Sequence, residues 1–512
     1  MSRSLFVKIR NGEALDASDV ADAPFGEFKN AVLDAVASGG RIALLCAAPE
    51  AVLAAKQPAA ADRLRLLCVI AWDEEGQLGI ASAPVGDAYP SLTPECPQAH
   101  LFEREIYEQW NLVPLLHPWL KPLRFHAPYG KDAAGNAPSI GHAPFFQLQG
   151  VEVHEVAVGP VHAGVIEPGH FRFQCHGENV YHLEISLGYQ HRGIERAMTA
   201  PGAKKRRMYY AETMAGDTTI AHATAYAQAV EAMSALSAPP RALALRGIAL
   251  ELERLANHTG DLGALAGDVG FLPTAAYCGR LRGDFLNMTA LLCGNRFGRG
   301  MIAPGGVGYD VDGRRVEQLR ERLDAAYRDV ADAVALLFDS PSVMARFENI
   351  GRVSKQTCVD LGMVGPSARA CGIRKDARSD FPAGIFNFVH IPAVVWESGD
   401  VFARAFVRWL EMQQSIEFIQ SQLSAMPEGE IISCAETAPL GNRLVVSLVE
   451  GWRGEVCHCA IVNSDGEPAY YKAVDPSFHN WMGLAMAMRG QQISDFPLCN
   501  KSFNLSYCGH DL

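Results

Sequence analysis

Apolar residues recur at three- and four-residue intervals in two long stretches. In the first, Val316, Leu319, Leu323, Tyr327, Val330, Val334 and Leu337 form one stripe, the signature of a long amphipathic helix. The second, "GDVFARAFVRWLEMQQSIEFIQSQLSAMPEGE", has the same spacing and is closed by Pro427 and Gly429. A shorter helix is predicted in "FGEFKNAVLDAVASGG", with a Gly-Gly stop. Elsewhere the period shortens. "RLRLLCVIAWDEEGQLGIASAPV" reads as two strands joined by an acidic, glycine-containing turn. "GPVHAGVIEPGHFRFQCHGENVYHLEISLGYQHRGIER" reads as a β-meander. "NRLVVSLVEGWRGEVCHCAIVNSDGEPAYYKAV" predicts three antiparallel strands with a turn at Ser464-Asp465-Gly466. From Lys121 to Gly150 periodicity gives way to four prolines and four glycines, the composition of a linker or extended arm. The pattern predicts an α+β chain: a small α+β domain over 1–125, a linker over 126–150, and a mainly helical domain with small β-sheets over 151–512.

With 49% hydrophobic and 20% charged residues, the chain has the make-up of a soluble globular protein. Its formal net charge of -12 argues against a nucleic-acid partner, which calls for a basic face. The one basic run, "KKRR" at Lys204–Arg207, reads as a solvated helix start or loop. No segment has the apolar length of a transmembrane helix, and the first residues carry no secretory signal. The thirteen cysteines sit mostly inside apolar runs, as buried free thiols of a reducing compartment do. No Cys-x-x-Cys pair occurs, and Cys457-His458-Cys459 reads as part of a half-buried strand.

Several stretches, in order, carry a resemblance. "YPSLTPECPQAHLFEREIYEQWNLVPLLHPWLKPL" resembles the 30-kDa subunit of respiratory complex I. "GPVHAGVIEPGHFRF", "LGYQHRGIERAM", "LERLANHTGDLGALA" and "GNRFGRGMIAPGGV" resemble the 49-kDa subunit, whose relatives are the large subunits of nickel–iron hydrogenases. "DFPLCNKSFNLSYCGHDL" is similar to the tail of hydrogenase-4-like and formate-hydrogenlyase-like large subunits, which fuse the two portions in one chain. The resemblance implies a peripheral subunit on the cytoplasmic side of the membrane. Its expected neighbours are an iron–sulfur small subunit and antiporter-like membrane subunits. The cluster would lie in the partner subunit, with no cofactor bound by this chain itself and quinone left open as an acceptor. A non-catalytic scaffold linking the electron-transfer arm to the membrane arm is the alternative.

Hydrogenase members of this family hold the metals with two Cys-x-x-Cys pairs. The resemblance maps the first pair onto Ala215 and Thr218 and the second onto Ser477 and Asn480. A methyl, two hydroxyls and an amide do not replace four soft thiolates, so no nickel–iron centre is expected and hydrogenase activity is nearly excluded. A downstream metal-binding His would fall on Gly483. For complex I chemistry, the glycine-rich hairpin offers His162 and His170, and the tyrosine position falls on Gly216. The resemblance makes Glu167 a candidate for proton transfer, against a structural carboxylate bonded to Arg172 or to turn amides. Asp217 and His479, lying inside the two vacated motifs, are candidates for polar groups of a new pocket, against simple solvent exposure. Glu195 matches a magnesium ligand of some hydrogenases, with a salt bridge to Arg192 or Arg196 preferred. Asp376, Arg378 and Asp380 match a charged loop near the cavity, or else form a surface ion-pair network. Glu103, Arg104 and Glu105 are assigned packing and docking, not chemistry.

Overall fold

The computed structural model describes residues 5–53, 63–129, 138–162, 166–433 and 439–512. The first region builds a five-stranded sheet in the order Val7–Ile9, Gln77–Val85, Leu64–Trp72, Arg41–Pro49, with Ala21–Asp22 pairing parallel to Gln77–Val85. Leu64–Trp72 and Gln77–Val85 are the two strands expected around the acidic turn, and Gly76 closes that turn at φ 62°. Helix Phe25–Ala37 packs Phe28, Ala31, Val32 and Ala35 onto the sheet.

Of the linker expected over 126–150, residues 130–137 lie outside the described residues; residues 138–152 lead into an antiparallel meander, Val153–Val158, His170–His176 and Asn179–Ser186. Along 138–152, Phe145 packs on His170 and the Phe146 amide donates to Glu184. The helical body follows. Its main members are Thr219–Ser234, Pro240–Asp268, Leu272–Cys293, Gly313–Phe338 and Val401–Ser424. The last two carry the periodic stripes. On Gly313–Phe338, Leu319, Leu323, Val330, Val334 and Leu337 are buried, while Val316 and Tyr327 pack at the margin. Both helices start with a side-chain cap: Asp312 accepts from the Arg315 amide and Asp400 from the Ala403 amide. Among the described residues no helix is long and apolar enough to cross a membrane.

A second sheet, Pro468–Val474, Gly454–Val462, Arg443–Gly451, is completed at its edge by Ala14–Asp16 from the first region. This sheet is buried on both faces. Cys457 and Cys459 point into a core shared with the N-terminal sheet, and Tyr470 donates to the Ala47 carbonyl across that junction. On the opposite face, His458 meets helix Thr219–Ser234. The Cys-x-Cys strand is therefore not half-buried as its alternation suggested: the N-terminal domain covers the face that would otherwise meet water. In the basic run, Lys204, Lys205 and Arg206 are exposed, while Arg207 is buried and bonds the Met198 carbonyl and Glu467.

Candidate functional site

Two segments more than 250 residues apart meet in the interior. The first is the turn Ala215–Thr218, which enters helix Thr219–Ser234; the second is the start of helix Pro476–Ala487, capped by Asp475 through the Ser477 amide at 2.8 Å. Their direct tie is a hydrogen bond of 3.1 Å between His222 Nε2 and Asp475 Oδ2, both groups fully buried. Between them lies the run Ser506–Leu512. The Ser506 amide donates to Ser477 Oγ at 2.8 Å, and the Tyr507 amide donates to Glu167 Oε2 at 3.2 Å. Gly509 leaves no room for a side chain here, because a Cβ would stand 2.6 Å from Asp475 Oδ2.

Ala215, Thr218, Ser477 and Asn480 are all fully buried. Asn480 fits its surroundings as an amide, accepting from the Val364 amide and donating to the Val364 carbonyl, each at 3.0 Å. Thr218 Oγ1 lies 3.3 Å from both Asp217 and Arg453. This donor set does not fit a nickel–iron centre. It offers no thiolate, and its polar members are committed to protein partners. Among the described residues no group of three or more His, Cys, Asp or Glu is arranged to hold a metal.

Asp217 does face the crossing. Its carboxylate takes two hydrogen bonds from Arg453, at 2.6 and 2.8 Å, and its carbonyl accepts from Asn257 and Trp452. Burial would raise the Asp217 carboxyl, but Arg453 holds it below the usual range. His479 does not join it. Its ring packs edge-on against Phe102 of the N-terminal domain, 5.7 Å between centroids, and burial with the nearby Arg41 pushes it down to about 3. The reason is helical geometry. Ser477 and Asn480, three apart, share a face, whereas His479 stands two residues from Ser477 on the other side.

Glu167 is half-buried and held by the turn amide of Tyr507, not by Arg172. Beside it the Cys508 thiol is pushed up to about 12 by burial and by the neighbouring carboxylate. His170 lies apart from this group, with Nδ1 3.3 Å from the Gly159 carbonyl, Nε2 accepting from Arg172, and Phe145 against its ring. His162 instead approaches the ring of Tyr507, 6.3 Å between centroids.

Two further expectations are corrected. Glu195 pairs with Lys472 at 2.9 Å, whereas Arg192 binds the carbonyls of Thr213, Met214 and Cys508 and Arg196 covers the Tyr129 ring. Burial opposes its charge, but Lys472 and Arg124 keep the Glu195 carboxyl below its ordinary value. Asp376 and Arg378 are not on the surface. They belong to a buried network in which Arg378 also binds Glu251, Arg254 bridges Glu251 and Glu411, and Arg369 binds Glu411 and Glu450. His258 joins it at 2.9 Å from Glu411, and burial pushes the Glu450 carboxyl up to about 7. Arg104 and Glu105 are buried along with Glu103, whose carboxylate takes four hydrogen bonds from Ser91, Leu92 and Thr93, a local staple in keeping with packing alone.

Sequence reasoning missed four residues at the crossing. Glu253 accepts from the first amides of helix Thr219–Ser234, Ile220 at 2.7 Å and Ala221 at 3.3 Å, yet burial pushes it up to about 8. Arg453, His222 and His458 were missed as well. Only the motif "LERLANH" had drawn attention to Glu253, as part of a family signature; the other three carry no spacing that marks them.

A buried constellation of carboxylates, imidazoles and a thiol thus lies between the helical body and the sheets. Comparison with known proteins defines the chain further. The family model described as "Respiratory-chain NADH dehydrogenase, 49 Kd subunit" matches residues 268–443. The chain is 32% identical to the carbon monoxide-induced hydrogenase of Rhodospirillum rubrum, over 69% of this chain and 98% of that one. It is 28% identical to formate hydrogenlyase subunit 5 of Escherichia coli (82% and 76%), and 29% identical to NADH-quinone oxidoreductase subunit 4 of Thermus thermophilus (67% and 90%). The chain belongs to this family of complex I 49-kDa and hydrogenase large subunits, on its hydrogenase-4-like side.

Proposed function

We propose that this large subunit couples electrons arriving from an adjacent iron–sulfur subunit to proton movement, with quinone as the acceptor and without a nickel–iron centre. The observation that carries the reading is the crossing itself. Where the hydrogenase relatives' motifs would place metal, this chain keeps Asp217, Arg453, Asp475 and His222 in mutual contact or one residue removed, with Glu167 and Cys508 at the edge. Such groups can hold and pass protons in a water-poor interior, where a charge arriving nearby changes their protonation strongly. The chain would sit peripherally on the cytoplasmic side, docked to antiporter-like membrane subunits.

A scaffold reading is favoured by one specific fact: Asn480, Ser477 and Asp217 each have their hydrogen bonds satisfied within the chain. Purification of the native complex from membranes separates the two. Quinone reduction accompanied by proton uptake, lost in Asp217→Asn while the subunits stay assembled, is the expected result. Full turnover in that variant would favour the scaffold, and recovery of the chain without an iron–sulfur subunit would refute the coupling.

A further inference from the structure

From the cap of helix Pro476–Ala487, a line of hydrogen bonds runs through the interior. Asp475 Oδ2 lies 3.1 Å from His222 Nε2, His222 Nδ1 lies 3.0 Å from His458 Nε2, and His458 Nδ1 lies 2.7 Å from the Tyr471 hydroxyl. Asp475, His222 and His458 are fully buried or nearly so, and Tyr471 is 4% exposed. Four elements converge to build the line: helix Thr219–Ser234 brings His222, the strands Gly454–Val462 and Pro468–Val474 bring His458 and Tyr471, and the cap residue brings Asp475. Beyond Tyr471 stands Tyr226, 6.5 Å between ring centroids, in the field of the Arg207–Glu467 ion pair. The Glu467 side chain is 52% exposed, so water stands on the far side of Tyr226 from Tyr471. At the inner end Asp475 feels Arg453 and, through it, Asp217. Glu195, Cys457 and Cys459 are the other ionisable groups near Tyr471.

We propose that Asp475, His222, His458 and Tyr471 form a one-proton wire between the buried crossing and the surface near Glu467. Each imidazole has one nitrogen towards each neighbour, so with Asp475 ionised a single orientation satisfies the whole line. Tyr471 O–H donates to His458 Nδ1, His458 Nε2–H to His222 Nδ1, and His222 Nε2–H to the Asp475 carboxylate. When a proton is delivered inward, Asp475 takes the proton on His222 Nε2 as its N–H bond breaks. His222 Nδ1 takes that of His458 Nε2, His458 Nδ1 takes that of Tyr471, and a water molecule entering past Tyr226 returns one to the Tyr471 oxygen, leaving hydroxide to the solvent. Every bond broken is matched by one formed. One proton has moved from water to Asp475, and both rings end neutral with their tautomers reversed. The wire rests on the proton-coupled reading above for its purpose.

The test uses the coupling between the two rings. The full chain, with 15N-labelled histidine, is studied by NMR within its purified complex, and His222→Gln and His458→Gln assign the signals. In the unmodified chain both rings are expected to carry their proton on Nε2. In Asp475→Asn, the cap bond from the Ser477 amide holds the side-chain oxygen, so the NH2 group faces His222. Both rings should then switch to Nδ1–H. If His458 keeps its Nε2 proton, whether or not His222 changes, the wire is overturned. Tyr471→Phe keeps the ring and removes only the hydroxyl. Electrode-driven reduction of a short-chain quinone by that immobilised complex, with direct reduction at the bare electrode subtracted, should be slowed at least tenfold, and undiminished turnover would also overturn the wire. An unmodified complex with no such turnover would refute the proposed function, while the tautomer result still decides the wire.

Discussion

Arg453→Met isolates the electrostatics of the crossing. The guanidinium is 6% exposed, gives Asp217 hydrogen bonds of 2.6 and 2.8 Å, gives the Asn504 carbonyl another, and stacks 3.9 Å from the Trp452 ring centre. Methionine keeps much of the packing on Trp452, so the loss is chiefly of charge. Removing one partner of a buried pair costs about 3–5 kcal/mol. The Asp217 side chain is 33% exposed, however, and water recovers part of this, leaving about 2–3 kcal/mol. An unfolding entropy of about 2.1 cal/mol/K per residue over 512 residues amounts to about 1.1 kcal/mol/K. The thermal midpoint should therefore fall by about 2–3 °C at pH 7. The pH dependence has a definite sign. Because Arg453 holds the Asp217 carboxyl below its unfolded value against burial, the pair adds stability above that unfolded value, and this is lost as pH falls through the folded one. Without Arg453, burial acts unopposed and that contribution reverses, so stability falls as pH rises. Differential scanning of the purified complex measures both effects. Adding Asp217→Asn in the same background should recover about 1–2 kcal/mol, because no unpaired charge remains. A midpoint within about 0.5 °C of the parent, or a double variant no better than the single one, would refute this account of the pair.

Glu253→Gln should remove a pH-dependent burden. A carboxyl pushed up to about 8 favours the folded state while protonated, so the parent loses stability relative to the variant as pH rises from about 5 to 8, by about 2–4 °C in midpoint. Identical pH profiles for the two would contradict this. Asn480→Ala leaves the Val364 amide and carbonyl buried without partners, at about 2–4 kcal/mol, read as a midpoint about 2–4 °C lower. Gly365→Ala should fail to give folded protein, because Gly365 has φ 68° and an added Cβ would collide with the Arg453 carbonyl; normal yield and melting would refute the geometry. Elemental analysis of the native complex should find no nickel assigned to this chain, and about one nickel per chain would overturn the reading of positions 215, 218, 477 and 480.

Much of the fold was legible because it is written in local periodicity. The stripe from Val316 to Leu337 needs only one helix to explain it, and the turns at Gly76 and Ser464–Gly466 announce themselves by composition. Ancestry was legible in ordered motifs. The site was legible only in part. Asp217 reaches the crossing because it stands in a turn between two vacated positions, whereas His479 turns away to Phe102 because proximity in sequence is not proximity on a helix face. Arg453 and His458 could not be found this way. Each draws its meaning from a partner more than 200 residues away, and one sequence does not encode that pairing in any spacing. The burial of Asp376 and Arg378 was hidden for the same reason, since charge in a sequence reads as surface until its counter-charges are placed.

The edge strand Ala14–Asp16 has a consequence for how the protein comes into being. Its partner, Arg443–Gly451, emerges from the ribosome more than 400 residues after it. At the synthesis rates of living cells, about 5–20 residues per second, that is an interval of tens of seconds. Throughout it, an early strand edge and the apolar face around Ala47 wait uncovered, the kind of surface on which strands from other chains can pair. A piece of this chain cut near residue 125 would make that waiting state permanent. Closing the second sheet is thus a late, long-range act that joins an early strand to three late ones, and the wire through His458 and Tyr471 comes into existence only with it.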